Sequence, residues 1–317
     1  MNLLVTGGLG FIGSHFIRRI LQHYPNYKIT NLDKVTYAGN TDNLKDVKSN
    51  KNYKFVKGDI CDGKLVDTLI KEADAIVNFA AETHVDRSIQ DASSFVHTDV
   101  LGVHTLLESA KKHNITKFLH ISTDEVYGSI KQGSFTENSP LQPNSPYAAS
   151  KGGGDMLVRA YHQTYGLPTL ITRSSNNYGP NQHPEKFIPL FTTNLLSGKK
   201  VPLYGNGKNV RDWLYVEDNC FAIDLVFHKG KFGEAYNIGG ECEKQNLEVM
   251  NLILKELGKG QESVDHVKDR LGHDFRYSVN TSKMRTLGWK PTTPFEEGLK
   301  KTIAWYRANP SWWKKLA

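Results

Sequence analysis

Short apolar runs at residues 3–6, 29–32, 54–56, 75–79, 118–122 and 169–172 alternate with stretches in which apolar residues return every three or four positions, at 13–23, 64–72, 93–113 and 146–165. Near-continuous apolar runs suit parallel strands covered on both faces, and the longer periodic stretches suit helices with one buried side. Strand–helix alternation predicts a doubly wound parallel α/β sheet over residues 1–175. Beyond that point the alternation stops. Turn-rich segments, Asn176-Asn177-Tyr178-Gly179-Pro180 and Tyr204-Gly205-Asn206-Gly207, separate isolated helical patterns at 186–197, 216–227, 247–257 and 294–307. Residues 176–317 are therefore expected to form a smaller mixed α/β lobe, some of whose segments return to the main sheet. There is no long linker, internal repeat or low-complexity tract.

Composition narrows the class. The 317 residues include 38% hydrophobic and 23% charged positions, ordinary for a globular chain. The formal charge of +7 comes from 40 Lys+Arg against 33 Asp+Glu. The lysines occur in pairs, such as Lys111-Lys112 and Lys199-Lys200, and form no basic run of the kind that tracks nucleic acid. A modest pull on anionic small molecules is the expectation, with no nucleic-acid partner. Cys61, Cys220 and Cys242 are few, odd in number and far apart, which suggests reduced thiols and no metal site. No window approaches the roughly 18 apolar residues of a membrane span, and residues 1–7 carry no basic leader. A cytoplasmic protein with no membrane partner is expected.

Gly7-Gly8-Leu9-Gly10-Phe11-Ile12-Gly13 follows the first strand directly and opens the first helix. Glycines there permit a tight turn, let backbone N–H groups approach a pyrophosphate, and allow close helix–strand packing. Asp33 stands at the end of the second strand, where a carboxylate accepts hydrogen bonds from ribose hydroxyls and repels a 2′-phosphate. Dinucleotide binding with NAD favoured over NADP is the prediction, with Lys34 the one neighbour that weakens the preference. Further along, Tyr147-Ala148-Ala149-Ser150-Lys151 places a phenol and an ammonium one turn apart on one helix face. A lysine cation near the phenol would lower its pKa and fit Tyr147 to take a proton from a sugar hydroxyl. Ser122-Thr123-Asp124-Glu125-Val126-Tyr127-Gly128 lies just past the fifth strand, at the end where open parallel sheets bind ligands. Adjacent carboxylates repel, so one is expected to stay protonated as an acid while the other serves as base.

These motifs, with Asn78-Phe79-Ala80-Ala81-Glu82-Thr83-His84-Val85-Asp86-Arg87-Ser88, Asn176-Asn177-Tyr178-Gly179-Pro180, Arg211-Asp212-Trp213-Leu214-Tyr215-Val216-Glu217-Asp218 and Arg270-Leu271-Gly272-His273-Asp274, resemble the extended short-chain dehydrogenase/reductase family over essentially the whole chain. Within it they resemble the dTDP-glucose 4,6-dehydratases, with the Thr-Asp-Glu triplet the most specific part. The resemblance implies a Rossmann fold and a homodimer through helices 93–113 and 146–165. It implies NAD as a tightly held group that ends each cycle unchanged, and a product on the way to deoxysugars such as rhamnose. By the same resemblance Tyr147, aided by Lys151, deprotonates the 4-hydroxyl while NAD takes the C4 hydride. Glu125 then removes the C5 proton, Asp124 protonates the departing 6-hydroxyl, and Thr123 bonds the 4-oxygen. The cofactor site would be lined by Gly7, Gly10, Phe11, Ile12, Gly13, Asp33, Lys34, Thr36, Asp59, Ile60, Ala80, Ala81, Thr98 and Asn177, together with Tyr147 and Lys151. Thr83, His84, Asn176, Lys186, Phe187, Pro202, Tyr204, Arg211, Asn246, Arg270 and His273 would surround the nucleotide sugar with Thr123. Guanidinium groups at 211 and 270 suit a diphosphate bidentately. Three departures from the family pattern stand out, the first being a segment between Gly128 and Tyr147 that is shorter than in many relatives. Leu271 replaces a common proline, and Gly152-Gly153-Gly154 follows Lys151 inside a predicted helix, where each glycine costs about 1 kcal/mol relative to alanine. A 4-epimerase or decarboxylase of the same family, and a non-catalytic NAD-binding scaffold, are the competing readings. Adjacent Asp-Glu argues against the first, the full Thr-Asp-Glu and Tyr–Lys set against the second.

Overall fold

The computed structural model describes residues 1–269 and 272–316. Seven parallel strands form the main sheet: β1 (Asn2–Thr6), β2 (Lys28–Asp33), β3 (Tyr53–Lys57), β4 (Ala75–Asn78), β5 (Lys117–Thr123), β6 (Thr169–Ser174) and, after a long excursion, a strand at Ala235–Ile238. In chain order the excursion holds β7 (Asn176–Tyr178), β8 (Val201–Tyr204) and β9 (Val210–Tyr215), so Ala235–Ile238 is β10; β11 (Glu243–Gln245) and β12 (Val264–Val267) follow. The spatial order is β10-β6-β5-β4-β1-β2-β3. From β1 the chain adds β2 and β3 on one side, then crosses to add β4, β5 and β6 on the other. The crevice above the carboxyl ends of β1 and β4 is therefore the topological switch point.

Every residue of β4 and β6 is buried, as the apolar runs require of strands covered twice. One face packs the Phe11–His23 and Val216–Lys229 helices through Phe16, Ile17, Ile20, Ile223 and Phe227. The other packs the Gly63–Ile70, Val103–Lys112 and Pro146–Tyr165 helices through Val66, Ile70, Leu106, Leu107 and Val158. Across the sheet interior runs a chain of polar groups. Thr6 donates to Asn78 (2.5 Å), Asn78 meets His120 (3.1 Å), and Arg173 bonds both Asp155 (2.8 Å) and the Tyr127 hydroxyl (2.7 Å).

The second half builds the smaller lobe: the β11-β9-β7 sheet, the β12-β8 pair, and a core of Phe191, Trp213, Met250, Ile253 and Leu299. The Val216–Lys229 helix and β10 lie in the main layer instead, so the chain leaves it after β6 and comes back. The single helix predicted at 93–113 is interrupted. Ser93–Val96 and Val103–Lys112 are α-helical, and His97–Gly102 between them is a wider π turn. A π turn takes one residue more than an α turn, a difference that apolar spacing over twenty residues does not reveal. The glycine run after Lys151 has a partial explanation. A Cβ on Gly154 would lie 2.8 Å from the Asp99 carbonyl oxygen and 3.2 Å from His120 Nε2, and one on Gly153 3.0 Å from Val100, whereas Gly152 faces open space.

Candidate active site

An open cleft occupies the switch point and continues toward the smaller lobe. Every residue expected to hold the cofactor lines it, as do Thr83, Thr123, Asp124, Glu125, Asn176 and Lys186. The loop after β1 is closed by its own glycines. Gly7 has φ +68°, and a Cβ there would meet the Ala80 amide nitrogen at 2.5 Å; one on Gly13 would meet the Gly7 carbonyl oxygen at 2.6 Å. The Phe11–His23 helix starts at Gly10 with no side-chain cap, so its first N–H groups point into the cleft without an internal partner, as an anion site requires. Asp33 is fixed at the rim: one carboxylate oxygen accepts the Leu9 N–H (2.9 Å), the other the Val35 N–H (2.8 Å). Val35 has φ +59°, a strained choice for a β-branched side chain. Lys34 pairs with Asp59 at 2.7 Å. Close-set glycines, an uncapped helix start and a buried carboxylate at the strand end fit the pyrophosphate and ribose of a dinucleotide.

The Pro146–Tyr165 helix is started by Ser145, whose hydroxyl accepts the Ala148 N–H (3.1 Å), with Pro146 in its first turn. It delivers Tyr147 and Lys151 to the cleft floor, both buried. Lys151 Nζ donates to the Ile121 carbonyl (2.8 Å) on β5, which anchors it behind the phenol. Its pKa is lowered by burial and raised in part by Asp99 and Asp155. Tyr147 differs from expectation, because its phenol is pushed well above its ordinary value. Burial is the largest cause, followed by the negative charges of Glu125 and Asp99, against which a hydrogen bond with Thr123 pulls the other way. The phenol is therefore protonated in the ligand-free site, where the sequence suggested that Lys151 would dominate.

At the end of β5, Thr123 caps the short turn Asp124–Tyr127: its hydroxyl accepts the Glu125 N–H (3.2 Å) and donates to Asp124 (3.3 Å). Asp124 is 3% exposed and its Oδ2 has no hydrogen-bond partner. Burial, then repulsion from Glu125 and Asp212, holds its carboxyl well above the usual range, so it is a neutral acid. Glu125 is only partly buried and reaches the Tyr277 hydroxyl at 3.4 Å. The two adjacent carboxyls thus occupy different environments.

The remaining expected substrate residues that are described lie outside the cleft lining. Arg211 is buried; its guanidinium donates to the carbonyls of Val210 (2.7 Å) and Asp274 (3.0 Å) and stacks 4.4 Å over the Tyr277 ring. Tyr204 on β8 and His273 face each other edge-on at 6.4 Å. Pro202 is on β8, and Asn246 opens the Asn246–Leu257 helix. Phe187 packs on Phe191 (4.2 Å) and Trp213 in the lobe core. His84 acts as a helix cap, its Nδ1 accepting the Arg87 N–H (3.3 Å). Arg270 and Leu271 lie outside the described residues. Among the residues of the site that were not anticipated, two carry charge or a hydroxyl next to the reacting groups or the cleft wall. Glu185 lines the cleft with a buried, unpartnered Oε1 and pairs with Arg87 (3.1 Å), beside Lys186, which bonds the Thr83 carbonyl (2.5 Å). Tyr277 stands against Glu125. Each sits next to a quoted motif, Glu185 before Lys186 and Tyr277 three residues past Asp274, which is the only signal the sequence offered.

Comparison with known proteins agrees with this geometry. The family model described as GDP-mannose 4,6 dehydratase matches residues 4–302. A dTDP-glucose 4,6-dehydratase of Streptomyces niveus is 54% identical over 100% of this chain and 96% of the relative. The crystal structure of DesIV, a dTDP-glucose 4,6-dehydratase of Streptomyces venezuelae with NAD and TYD bound, superposes with TM-score 0.98 at 53% identity, covering 100% of both chains. A UDP-glucose 4-epimerase of Thermotoga maritima with UDP-glucose has TM-score 0.91 at 30% identity, covering 98% of this chain and 100% of the epimerase. A fold shared with an epimerase leaves the carboxyl pair and the closer identity to discriminate the reaction, and both point the same way: the chain belongs to the GDP-mannose 4,6 dehydratase family.

Proposed function

We propose that this chain is an NAD-dependent hydro-lyase that converts dTDP-glucose to dTDP-4-keto-6-deoxyglucose and water. The observation that carries the reading is the split pair at the end of β5, a neutral Asp124 beside a partly exposed Glu125, within the same cleft as Tyr147. NAD, when bound on the glycine loop, accepts hydride from C4 of the sugar and returns it at C6. Gly7, Gly10 and Gly13 admit its pyrophosphate, and Asp33 receives the ribose hydroxyls. Tyr147 takes the 4-hydroxyl proton, with the Lys151 ammonium behind it to stabilise the phenolate. A sugar seated between Tyr147 and Glu125 separates the phenol from one of the charges that, with burial and Asp99, oppose its ionisation. Thr123 bonds the 4-oxygen. The 4-ketone acidifies C5–H, and Glu125 removes that proton. Asp124 gives its proton to the 6-hydroxyl, which leaves as water, and C5 is then reprotonated. Asn176, Lys186, Arg211, Asn246 and His273 hold the nucleotide diphosphate, with Arg270 from the adjoining segment.

The reading extends to a cytoplasmic homodimer that feeds deoxysugar synthesis, dTDP-rhamnose among its end points. In its support, Cys61, Cys220 and Cys242 are free thiols. Val96, Leu101, Met156 and Tyr165 stand exposed on the helical layer that the resemblance assigns to the dimer. No helix among the described residues is long and apolar enough to cross a membrane. The test is mass spectrometry of dTDP-glucose, UDP-glucose and GDP-mannose after incubation with the purified protein. Loss of one water from dTDP-glucose ahead of the other two is expected. Unchanged mass with inverted C4 configuration would mean an epimerase, and preferential loss from another nucleotide sugar would move the base preference.

A further inference from the structure

Behind the reacting groups lies a short segment, residues 274–277, that sets the Tyr277 hydroxyl against Glu125. The Asp274 carboxylate is buried and bonded at both oxygens: Oδ1 accepts the Asn144 side-chain N–H (2.6 Å) and Oδ2 accepts the Tyr277 hydroxyl hydrogen (2.7 Å). Its backbone oxygen accepts from Arg211 (3.0 Å) and Asn209 (3.2 Å), and the next carbonyl, of Phe275, accepts the Val210 N–H (2.8 Å). Residues 274–277 are thereby clamped to β9. Tyr277 is wedged under the Arg211 guanidinium with its oxygen between two carboxylates, Asp274 at 2.7 Å and Glu125 at 3.4 Å. A phenol has one hydrogen, and the short charge-assisted contact takes it.

We propose that Asp274 is a positioning residue for elimination: it holds the Tyr277 hydrogen so that Glu125 faces the phenol's lone pair and keeps its capacity to accept the C5 proton. This rests on the reading of Glu125 as the base. Titratable groups facing Glu125 among the described residues include Asp124 on its own turn and Tyr147 on the Pro146–Tyr165 helix; Arg211 on β9 faces Tyr277 from the far side. Replacing Asp274 by asparagine inverts the relay at nearly constant shape. The amide oxygen keeps the bond from Asn144, the amide N–H₂ turns to the Tyr277 oxygen, and the hydroxyl hydrogen swings to Glu125. A new donor on a carboxylate favours its charged form and weakens it as a base.

The test uses the full-length protein with NAD and dTDP-glucose in D₂O, following deuterium uptake at C5 and the absorbance of reduced nicotinamide against pH. For Asp274→Asn we expect C5 uptake on the order of tenfold slower, as one pKa unit on a general base implies. The acid limb of the uptake profile should move to lower pH, and reduced nicotinamide should accumulate because oxidation outruns elimination. In a Tyr277→Phe background, where there is no hydrogen to redirect, Asp274→Asn should add no more than about twofold. Equal slowing with and without Tyr277, or no change of the pH profile, would make Asp274 merely structural and overturn the proposal. Wild-type protein that takes up no deuterium at C5 would instead overturn the base assignment, and this inference with it.

Discussion

The three glycines after Lys151 give the structure a sharp internal control, because one helix offers three sites that differ only in what a methyl group would meet. Alanine in a helix interior is favoured over glycine by about 1 kcal/mol. At Gly152 a Cβ meets nothing within 4 Å, so Gly152→Ala should realise that gain. At Gly154 the Cβ lies 2.8 Å from the backbone carbonyl of Asp99, well inside contact distance and against main chain that cannot rotate away. Relieving it means parting the Pro146–Tyr165 helix from the π turn, an overpacking cost of about 1–3 kcal/mol that outweighs the helical gain. The obstacle at Gly153, the Val100 side chain at 3.0 Å, can adjust, so the two effects should roughly cancel there. Urea unfolding followed by tryptophan fluorescence reads the order directly. With a slope of about 3 kcal/mol per M, the Gly152→Ala midpoint should rise by roughly 0.3 M. The Gly154→Ala midpoint should fall by a similar or larger amount, and its turnover should drop because the same helix carries Tyr147 and Lys151. A Gly154→Ala protein as stable as Gly152→Ala would refute the claim that close approach at Asp99 is why glycine stands there.

Asp99 is 1% exposed, and its carboxyl is pushed up to about 6, chiefly by burial, with Lys151 and its hydrogen bonds opposing. A carboxyl raised in the folded state contributes stability below its unfolded value that is lost as pH rises through the folded one. Asp99→Asn should therefore unfold at higher urea than wild type at pH 8, by roughly 2–3 kcal/mol, with the difference vanishing toward pH 4. Arg173→Ala would strand the Asp155 carboxylate, 1% exposed, without its 2.8 Å partner, and should cost about 3–5 kcal/mol by urea titration; Arg173→Ala/Asp155→Ala should recover part of it. Asp33→Ser removes the charge that holds the loop at Leu9 and Val35, so NAD binding measured by calorimetry should weaken about tenfold or more while discrimination against NADP narrows.

The main sheet was readable because most of its strands are covered on both faces and so carry near-continuous apolar runs, as at 75–79 and 118–122, while the edge strand β3 is largely exposed. The glycine loop and the Tyr147–Lys151 face were readable because spacing alone sets their geometry. Past residue 175 the four helices at 187–196, 216–229, 246–257 and 295–308 were readable from their periodicity, but the strands of the smaller lobe were not. Strands β8, β9, β11 and β12 are three to six residues long and set among turns, and their pairing depends on partners far along the chain. Electrostatics were legible only in part. Adjacency predicted that Asp124 and Glu125 would be split, and burial decides which of them stays neutral. Adjacency also suggested that Lys151 would set the phenol, yet its ammonium is turned to the Ile121 carbonyl while burial, then Glu125 and Asp99, oppose ionisation of Tyr147. Contacts of that kind, like Tyr277 against Glu125 across 152 positions, exist only once the chain is folded.

Incubating dTDP-glucose in D₂O with wild-type protein and with Asp124→Asn/Glu125→Gln tests the central assignment most directly. The wild-type product should have lost one water and carry deuterium at C5, while the variant leaves the sugar unchanged in mass. Dehydration that survives in the variant would contradict the assignment of this carboxyl pair as acid and base.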